Sequence, residues 1–215
     1  MAAYDLEEQE QLSAIKAWWE KNGNIVGGIV LAVAVAVAGV QGWRWYDNKQ
    51  AVEAGAIYGA LAQAAEAKDG GKVAVLADEL IKKHASTTAA ALGVMQAAQT
   101  AIEAGDSKAA RGRYEWLVAS KADPLLIDLA RLRLAALQLD AKEFDAALAT
   151  LQAAPDAGFA ARYADLRGDI LFAQGKKDDA RAAYRLALDA AKASDTRNPA
   201  FRGMLQTKLD ALGGA

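Results

Sequence analysis

The feature that most constrains this chain is a run of 22 residues without a charge, between Lys21 and Arg44. If the run is helical, residues 25–43 measure about 28 Å, close to the roughly 30 Å hydrocarbon core of a bilayer. Its middle, LAVAVAVA, alternates like a β-strand, but the run is much longer than ordinary strands and both alternating residue types are apolar. The run therefore predicts a helix.

A cleavable signal peptide and a permanent membrane anchor both fit this helix, and a buried core helix is a third alternative. Residues 34–38 contain two small-x-small sequences of the kind that signal peptidase accepts. The leader, residues 1–21, is long and acidic, whereas a secretory leader is short and positive. We therefore expect an uncleaved transmembrane helix over residues 22–43, followed by a juxtamembrane linker at 44–49.

Aromatic residues flank both ends of the expected span. Because an amphipathic ring is stable at the boundary between lipid and water, tryptophan and tyrosine collect at the two membrane interfaces. The candidate interface anchors are Trp18, Trp19, Trp43, Trp45 and Tyr46. The lipid bilayer is therefore the first partner that the sequence predicts.

Small residues recur at helical spacing within the span. Gly23 and Gly27 are four residues apart, as are Gly28, Ala32 and Ala36. Two faces of the helix would therefore allow another helix to approach closely. Alternatively, glycine and alanine only fill a weakly hydrophobic anchor.

The charges that flank the span do not give its orientation. Lys16 and Lys21 precede it, and Arg44 and Lys49 follow it, so the positive-inside comparison is a tie. The leader has apolar residues at helical spacing, which predicts an amphipathic helix: Leu12, Ile15, Trp18 and Trp19.

From residue 50 to residue 215 the sequence predicts an all-α fold. Alanine is abundant and proline occurs only three times in the whole chain, and these residues have the highest and the lowest helix propensity. Apolar residues recur at helical spacing in segments of about 12 to 20 residues, which are separated by short breaks. The predicted breaks are 69–71, 86–88, 105–106, 123–124, 155–158, 175 and 198–199.

The small and aromatic residues of 163–190 define a repeated helix pair. Gly168 and Ala180 would let the two helices approach closely, and Gly175 can adopt the positive φ of a tight turn. The spacing is that of the tetratricopeptide repeat. The residues that fit it are Gly168, Leu171, Gly175, Ala180, Tyr184 and Ala187.

The same scheme recurs more loosely upstream, which predicts a tetratricopeptide-like solenoid. A first helix pair, around Tyr58 and Leu80, keeps the hairpin but loses most of the signature. Thirty-three residues before the best repeat, the equivalent positions are Ala135, Ala147, Leu151 and Ala154. Another 37 residues upstream, the matching residues are Gly105, Ala110, Tyr114 and Leu117.

The composition argues against enzyme chemistry and against nucleic acid as a partner. A net charge of -2 offers no basic excess to neutralise phosphates. The chain has no cysteine, and its one histidine, His84, has no other histidine or cysteine to complete a metal site. Adjacent carboxylates such as Asp178 and Asp179 face different sides of a helix and make no acid–base pair. No catalytic, cofactor or metal residue is predicted.

Several segments resemble the YfgM-type family of ancillary subunits of the bacterial Sec translocon. Members of that family carry tetratricopeptide-like repeats behind one N-terminal membrane anchor. The similarity covers about residues 4 to 212. The segments that carry it are LSAIKAWWEKNGN, GWRWY, RLRLAALQL and DLRGDILFAQGKKDDARAAYRLAL.

The resemblance implies a single-pass inner-membrane protein with a cytoplasmic N-terminus and a periplasmic repeat domain. It implies three protein partners: the SecYEG translocon, a membrane-anchored, PpiD-like periplasmic chaperone of prolyl-isomerase ancestry, and exported client proteins. The implied role is that of a non-enzymatic adaptor. A repeat scaffold for the assembly of another cell-envelope complex is the alternative.

In repeats of this type, the first helix of each pair lines a concave groove. By that geometry the candidate partner-binding residues are Arg162, Asp165, Asp169 and Phe172. A groove of mixed charge with one aromatic ring suits a peptide or a helix of a partner. Alternatively, these residues pack against a neighbouring repeat or form salt bridges with it.

Overall fold

The computed structural model describes the backbone of residues 2–193 and 199–213, and the side chains of residues 10–191 and 199–213. All regular secondary structure in that part of the chain is α-helical, as the sequence predicts. The chain forms two compact units, Met1–Gln50 and Ala51–Ala215. The helices are α1 (Ala2–Glu66), α2 (Gly70–His84), α3 (Thr88–Glu103), α4 (Ser107–Ala119), α5 (Pro124–Asp140), α6 (Phe144–Thr150), α7 (Ala160–Ala173), α8 (Lys177–Ala193) and α9 (Pro199–Ala211).

Helix α1 contains the uncharged run, so the interpretation as a strand is excluded. It continues through residues 44–49 without a break and has no proline to remove a backbone donor. None of the residues in its most apolar window is buried. In the described chain, α1 is the one helix whose length and composition suffice to cross a membrane.

Four helix pairs follow one another in the second unit, and α9 packs on the last pair. We call the first helix of each pair A and the second B. The pairs are residues 51–66 of α1 with α2, α3 with α4, α5 with α6, and α7 with α8. Each helix from α2 to α9 packs against the next along the chain, and the A helix α5 also contacts α3 and α7. Contacts between neighbours alone are typical of a repeat array.

A residue with positive φ lies in the turn of every helix pair. The φ angle is 58° at Lys68, 78° at Gly105, 60° at Lys142 and 78° at Gly175. These positions are 37, 37 and 33 residues apart, and the last two of these intervals are those at which the sequence repeats. Glycine suits the conformation because it lacks the Cβ that makes a left-handed backbone unfavourable. The predicted role of Gly175 is therefore confirmed.

The turn at residues 141–143 is absent from the breaks that the sequence predicts. The stretch contains neither glycine nor proline, and Lys142 takes the left-handed conformation that glycine takes elsewhere. Backbone hydrogen bonds close the turn, from Lys142 to Leu139 at 2.9 Å and from Glu143 to Gln138 at 2.8 Å. They stabilise a conformation that costs a non-glycine residue about 1–2 kcal/mol.

Polar side chains mark the starts of four helices. Asp69 and Asp106 each accept a hydrogen bond from the backbone N–H three residues later, at 3.0 and 2.9 Å. Thr87 caps α3 in the same way, and Asp123 caps α5 by accepting a hydrogen bond from the backbone N–H of Leu125, two residues later. Such a cap satisfies a donor that the first helical turn leaves unpaired, and it contributes about 1 kcal/mol. Four of the predicted breaks are therefore helix starts.

One of the equivalences predicted between repeats is wrong. Ala154 was expected in a B helix at the position of Ala187, which is fully buried in α8. Helix α6 ends at Thr150, and Ala154 is exposed in the loop that follows. The physical reason is Pro155, because a residue that precedes proline is disfavoured in the helical conformation.

A close contact between an A and a B helix occurs where Gly168 meets the ring of Tyr184. A Cβ added at Gly168 would lie 2.4 Å from Tyr184 Cε1. The ring is held in place, because its hydroxyl donates a hydrogen bond to Asp169 at 2.7 Å. The predicted role of Gly168, close approach of the two helices, is confirmed.

Gly168→Ala should lower the free energy of unfolding by about 1–3 kcal/mol, because the new methyl group overpacks a full site. In a Tyr184→Leu background the same change should cost less than about 1 kcal/mol. Ala135 and Leu151 already occupy these two positions in the third helix pair. Denaturant unfolding of the four chains in a double-mutant cycle would measure the coupling. Equal costs of Gly168→Ala in both backgrounds would contradict the contact.

Candidate functional site

An open groove of about 510 Å³ lies between α5, α7 and α9. Most of its lining is apolar, and three charged side chains also face it. The lining residues are Leu129, Leu132, Arg133, Ala136, Phe159, Arg162, Asp165 and Phe201. Two of the four predicted partner-binding residues, Arg162 and Asp165, therefore lie in this groove.

The apolar floor of the groove follows the repeat interval of 33 residues. Leu129, Leu132 and Ala136 of α5 are the counterparts of Arg162, Asp165 and Asp169 in α7. All three α5 residues are partly exposed. The sequence predictions named groove residues only in the helix pair that fits the repeat signature best, and they missed these three residues of α5. The same interval, applied to the groove positions, would have found them.

Lys208 of α9 forms ion pairs with both carboxylates that were predicted to bind a partner. Its ammonium group donates hydrogen bonds to Asp165 at 2.6 Å and to Asp169 at 2.7 and 2.9 Å. Burial works against the charge of Lys208, but these hydrogen bonds outweigh it, so the pKa of Lys208 is raised. Burial, and then the hydrogen bond to Asp169, also raises the pKa of Tyr184, which stays a donor.

Arg162 and Phe172, the other two predicted residues, remain accessible. The guanidinium of Arg162 lies over the ring of Phe201, 5.6 Å from its centroid, in a cation–π contact. The side chain of Phe172 is 51% exposed, at the end of α7. The structure therefore brings three of the four predicted residues against α9 and leaves Phe172 open.

A buried carboxylate, which the sequence does not reveal, holds the loop that leads into α7. Asp128 is only 4% exposed. It accepts hydrogen bonds from the backbone N–H of Asp156 at 2.8 Å, from Arg131 at 3.0 Å and from the Tyr163 hydroxyl at 3.2 Å. A buried carboxylate is stable only when it is paired in this way. Asp128 thereby links α5 to α7 and to the loop that precedes it.

The predicted anchor residues lie along one continuous helix. Trp18, Trp19, Trp43, Trp45 and Tyr46 are all more than half exposed. Trp19 and Trp43 are about 36 Å apart along the helix axis, which is longer than the roughly 30 Å hydrocarbon core. Both indoles would therefore lie in the interfacial layers if the helix spans a bilayer.

The small residues of the span differ in what surrounds them. A Cβ added at Gly23 would lie 3.3 Å from the indole nitrogen of Trp19, so this residue is already covered by its own helix. Nothing lies within 4 Å of such a Cβ at Gly27 or Gly28. Gly28, Ala32 and Ala36 therefore form the more accessible of the two predicted small-residue faces.

His84 is a buried residue at the end of α2. Within residues 10–191 and 199–213, whose side chains the structure describes, no group of three or more histidine, cysteine or carboxylate residues has the arrangement of a metal site.

These features define a class: a helical repeat protein with a partner-sized groove and one N-terminal helix that is long and apolar enough for a membrane. A family model described as a tetratricopeptide repeat-like domain matches residues 16–214. Proteins named ancillary SecYEG translocon subunit are similar over nearly the full chain. The Escherichia coli (strain K12) protein is 31% identical over 207 residues, with 95% of this chain and 96% of the relative covered.

Two further relatives carry the same name. The Neisseria gonorrhoeae (strain ATCC 700825 / FA 1090) protein is 30% identical, with 99% of this chain and 100% of the relative covered. The Haemophilus influenzae (strain ATCC 51907 / DSM 11121 / KW20 / Rd) protein is 30% identical, with 86% of this chain and 90% of the relative covered. The chain belongs to this tetratricopeptide repeat-like family of ancillary SecYEG translocon subunits, as the residues of the leader, the span and the repeats indicate.

Lys208→Met should lower the free energy of unfolding by about 1–3 kcal/mol, because Asp165 and Asp169 would lose their counter-ion in a half-buried site. Hydrogen exchange should become faster in α9 first, since Lys208 is the charged link from α9 to α7. Lys108→Met, a change at an exposed lysine of α4, is the matched control and should change stability little. Equal effects of the two changes would show that the ion pairs contribute nothing.

Proposed function

We propose that this chain is a non-enzymatic, membrane-anchored adaptor of the Sec translocon. Its span would lie against the SecYEG channel, and its groove would bind a segment of a second partner. The observation that carries the proposal is the combination, in one chain, of an apolar N-terminal helix with an open groove of about 510 Å³ in the repeat unit. The name that the relatives share supports SecYEG as the channel in this proposal.

The second partner, in this proposal, is a membrane-anchored periplasmic chaperone of the PpiD type, and the clients are newly exported proteins. An anchor beside the channel would hold the groove close to chains as they emerge. A chaperone bound there gains a high effective concentration at the exit, without any new contact to the channel itself.

The arrangement across the membrane follows from the proposed role. Residues 1–21 would form a cytoplasmic amphipathic leader, residues 22–43 the inner-membrane span and residues 44–49 the juxtamembrane segment. Residues 50–215 would form the periplasmic repeat domain. Trp18 and Trp19 would then lie at the cytoplasmic interface, and Trp43, Trp45 and Tyr46 at the periplasmic one.

Site-specific photocrosslinking in cells tests both proposed contacts. A photoreactive phenylalanine analogue at Ala32 or Ala36 should capture subunits of SecYEG, because the small-residue face would admit a neighbouring helix. The same analogue at Leu129, on the groove floor, should capture a membrane-anchored periplasmic chaperone, identified by mass spectrometry. Val75, which is 66% exposed on α2, is the matched position outside the groove and should capture neither. Failure of both test positions would contradict the proposed function.

Protease accessibility tests the orientation separately. Protease added to spheroplasts should digest the repeat unit and leave the leader intact, because only the periplasmic side is exposed to it. An epitope at each terminus would report the two regions by immunoblot. Loss of the N-terminal epitope with retention of the C-terminal one would reverse the proposed orientation.

A further inference from the structure

The groove contains two arginines that form no salt bridge with another described residue. Arg133 of α5 and Arg162 of α7 are both exposed and both line it. Among the described residues neither forms an ion pair, and the contact of Arg162 is with the ring of Phe201. Elsewhere on the repeat unit, Arg111 is paired with Glu115 and Glu143, and Arg131 with Asp128. The two groove arginines therefore remain available to a bound anion.

The remaining charges around the groove do not cancel these arginines. Asp165 also lines the groove, but Lys208 holds it at 2.6 Å and is shared with Asp169. Three cations and two carboxylates leave this region positive, on a chain whose net charge is -2. These five side chains therefore carry a net positive charge, whereas the whole chain carries a net negative one.

The surface between the arginines is apolar and aromatic. Leu129, Leu132 and Ala136 form it on α5, and two rings are supplied by Phe159, just before α7, and Phe201 of α9. An inorganic anion would leave this apolar surface in contact with water. An apolar segment without charge would leave the guanidinium groups without hydrogen-bond acceptors. The complementary ligand carries a carboxylate among apolar side chains.

We propose that the groove selects a peptide segment in which an aspartate or glutamate lies between apolar residues. Arg133 and Arg162 bind the carboxylate, and the leucines and phenylalanines bury its apolar neighbours. Guanidinium groups suit this task because they present several donors in a fixed plane that matches a carboxylate. The inference rests on the proposed function, in which the groove binds a partner segment, and it specifies the chemistry of that segment.

A selection from random peptides tests this chemistry without a known partner. The probe is a phage-displayed library of random 12-residue peptides, and the target is the full chain in a non-ionic detergent. Peptides enriched by the unmodified chain should share an acidic residue flanked by apolar ones. Fluorescence anisotropy would then give the affinity of an enriched peptide and of its amide form, with asparagine or glutamine in place of the acid.

Two arginine variants and a matched control separate charge from folding. Arg133→Gln and Arg162→Gln should each weaken the acidic peptide about tenfold, since each removes a charge-assisted hydrogen bond. The amide form should bind both variants and the unmodified chain with equal affinity. Arg185→Gln, at an exposed arginine of α8 outside the groove, should leave the affinity unchanged. Circular dichroism would confirm that all three variants keep their helicity.

Several results would overturn the proposal. These are an enriched sequence without an acidic residue, equal binding of the acidic and amide peptides, or no enrichment above background. A further such result concerns binding to phosphatidylglycerol vesicles. If that binding depends on Arg133 and Arg162 and peptide binding does not, the arginines bind anionic lipid and the proposal is overturned. Capture of a chaperone at Leu129 in cells does not require an acidic segment, so the proposed function would still stand if the groove does not select acidic peptides. Failure of the proposed function is detected separately, by the crosslinking experiment.

Discussion

The structure depends on how closely the two helices of each pair can approach. At equivalent positions of three B helices lie Ala110, Ala147 and Ala180, and all three are completely buried. In the last of these helix pairs, the ring of Tyr184 occupies the space that a side chain at Gly168 would need. Because each pair contacts only its neighbours, no single core compensates for a fault at one crossing. Small residues at the contacts between A and B helices therefore determine how the A helices are placed beside one another, and the groove is formed by these A helices.

Local features of this fold could be predicted from the sequence, and contacts between distant residues could not. The roles of Gly168 and Gly175 follow from spacing within one repeat, and the uncharged run marks a helix of membrane length. The turn at Lys142 was missed because a lysine there adopts a conformation that residue type does not reveal. Among the site residues, Asp165 and Asp169 were predicted, but their partner Lys208 lies 39 or more residues away in sequence. The burial of Asp128 could not be predicted either, because it depends on the loop before α7, which packs over this carboxylate.

The electrostatic character of the groove also changes between sequence and structure. In sequence, Arg162, Asp165 and Asp169 suggest a surface of mixed charge. In the structure, Lys208 pairs with both acids, while Arg133 and Arg162 are exposed and form no salt bridge among the described residues. The ion pairs with α9 thus do more than stabilise the last repeat. They offset part of the negative charge that would repel an acidic ligand, and they position the helix that carries Phe201.

Helix α9 ends the array of repeats and also forms one wall of the groove. Repeat proteins commonly gain and lose units during evolution, because an added unit needs only compatible neighbours. Here a unit inserted between α8 and α9 would carry Phe201 and Lys208 away from α7. Asp165 and Asp169 would lose their counter-ion, and the groove would lose an aromatic ring. An inserted unit would therefore separate the residues of the groove, so the site depends on α9 lying directly beside α7.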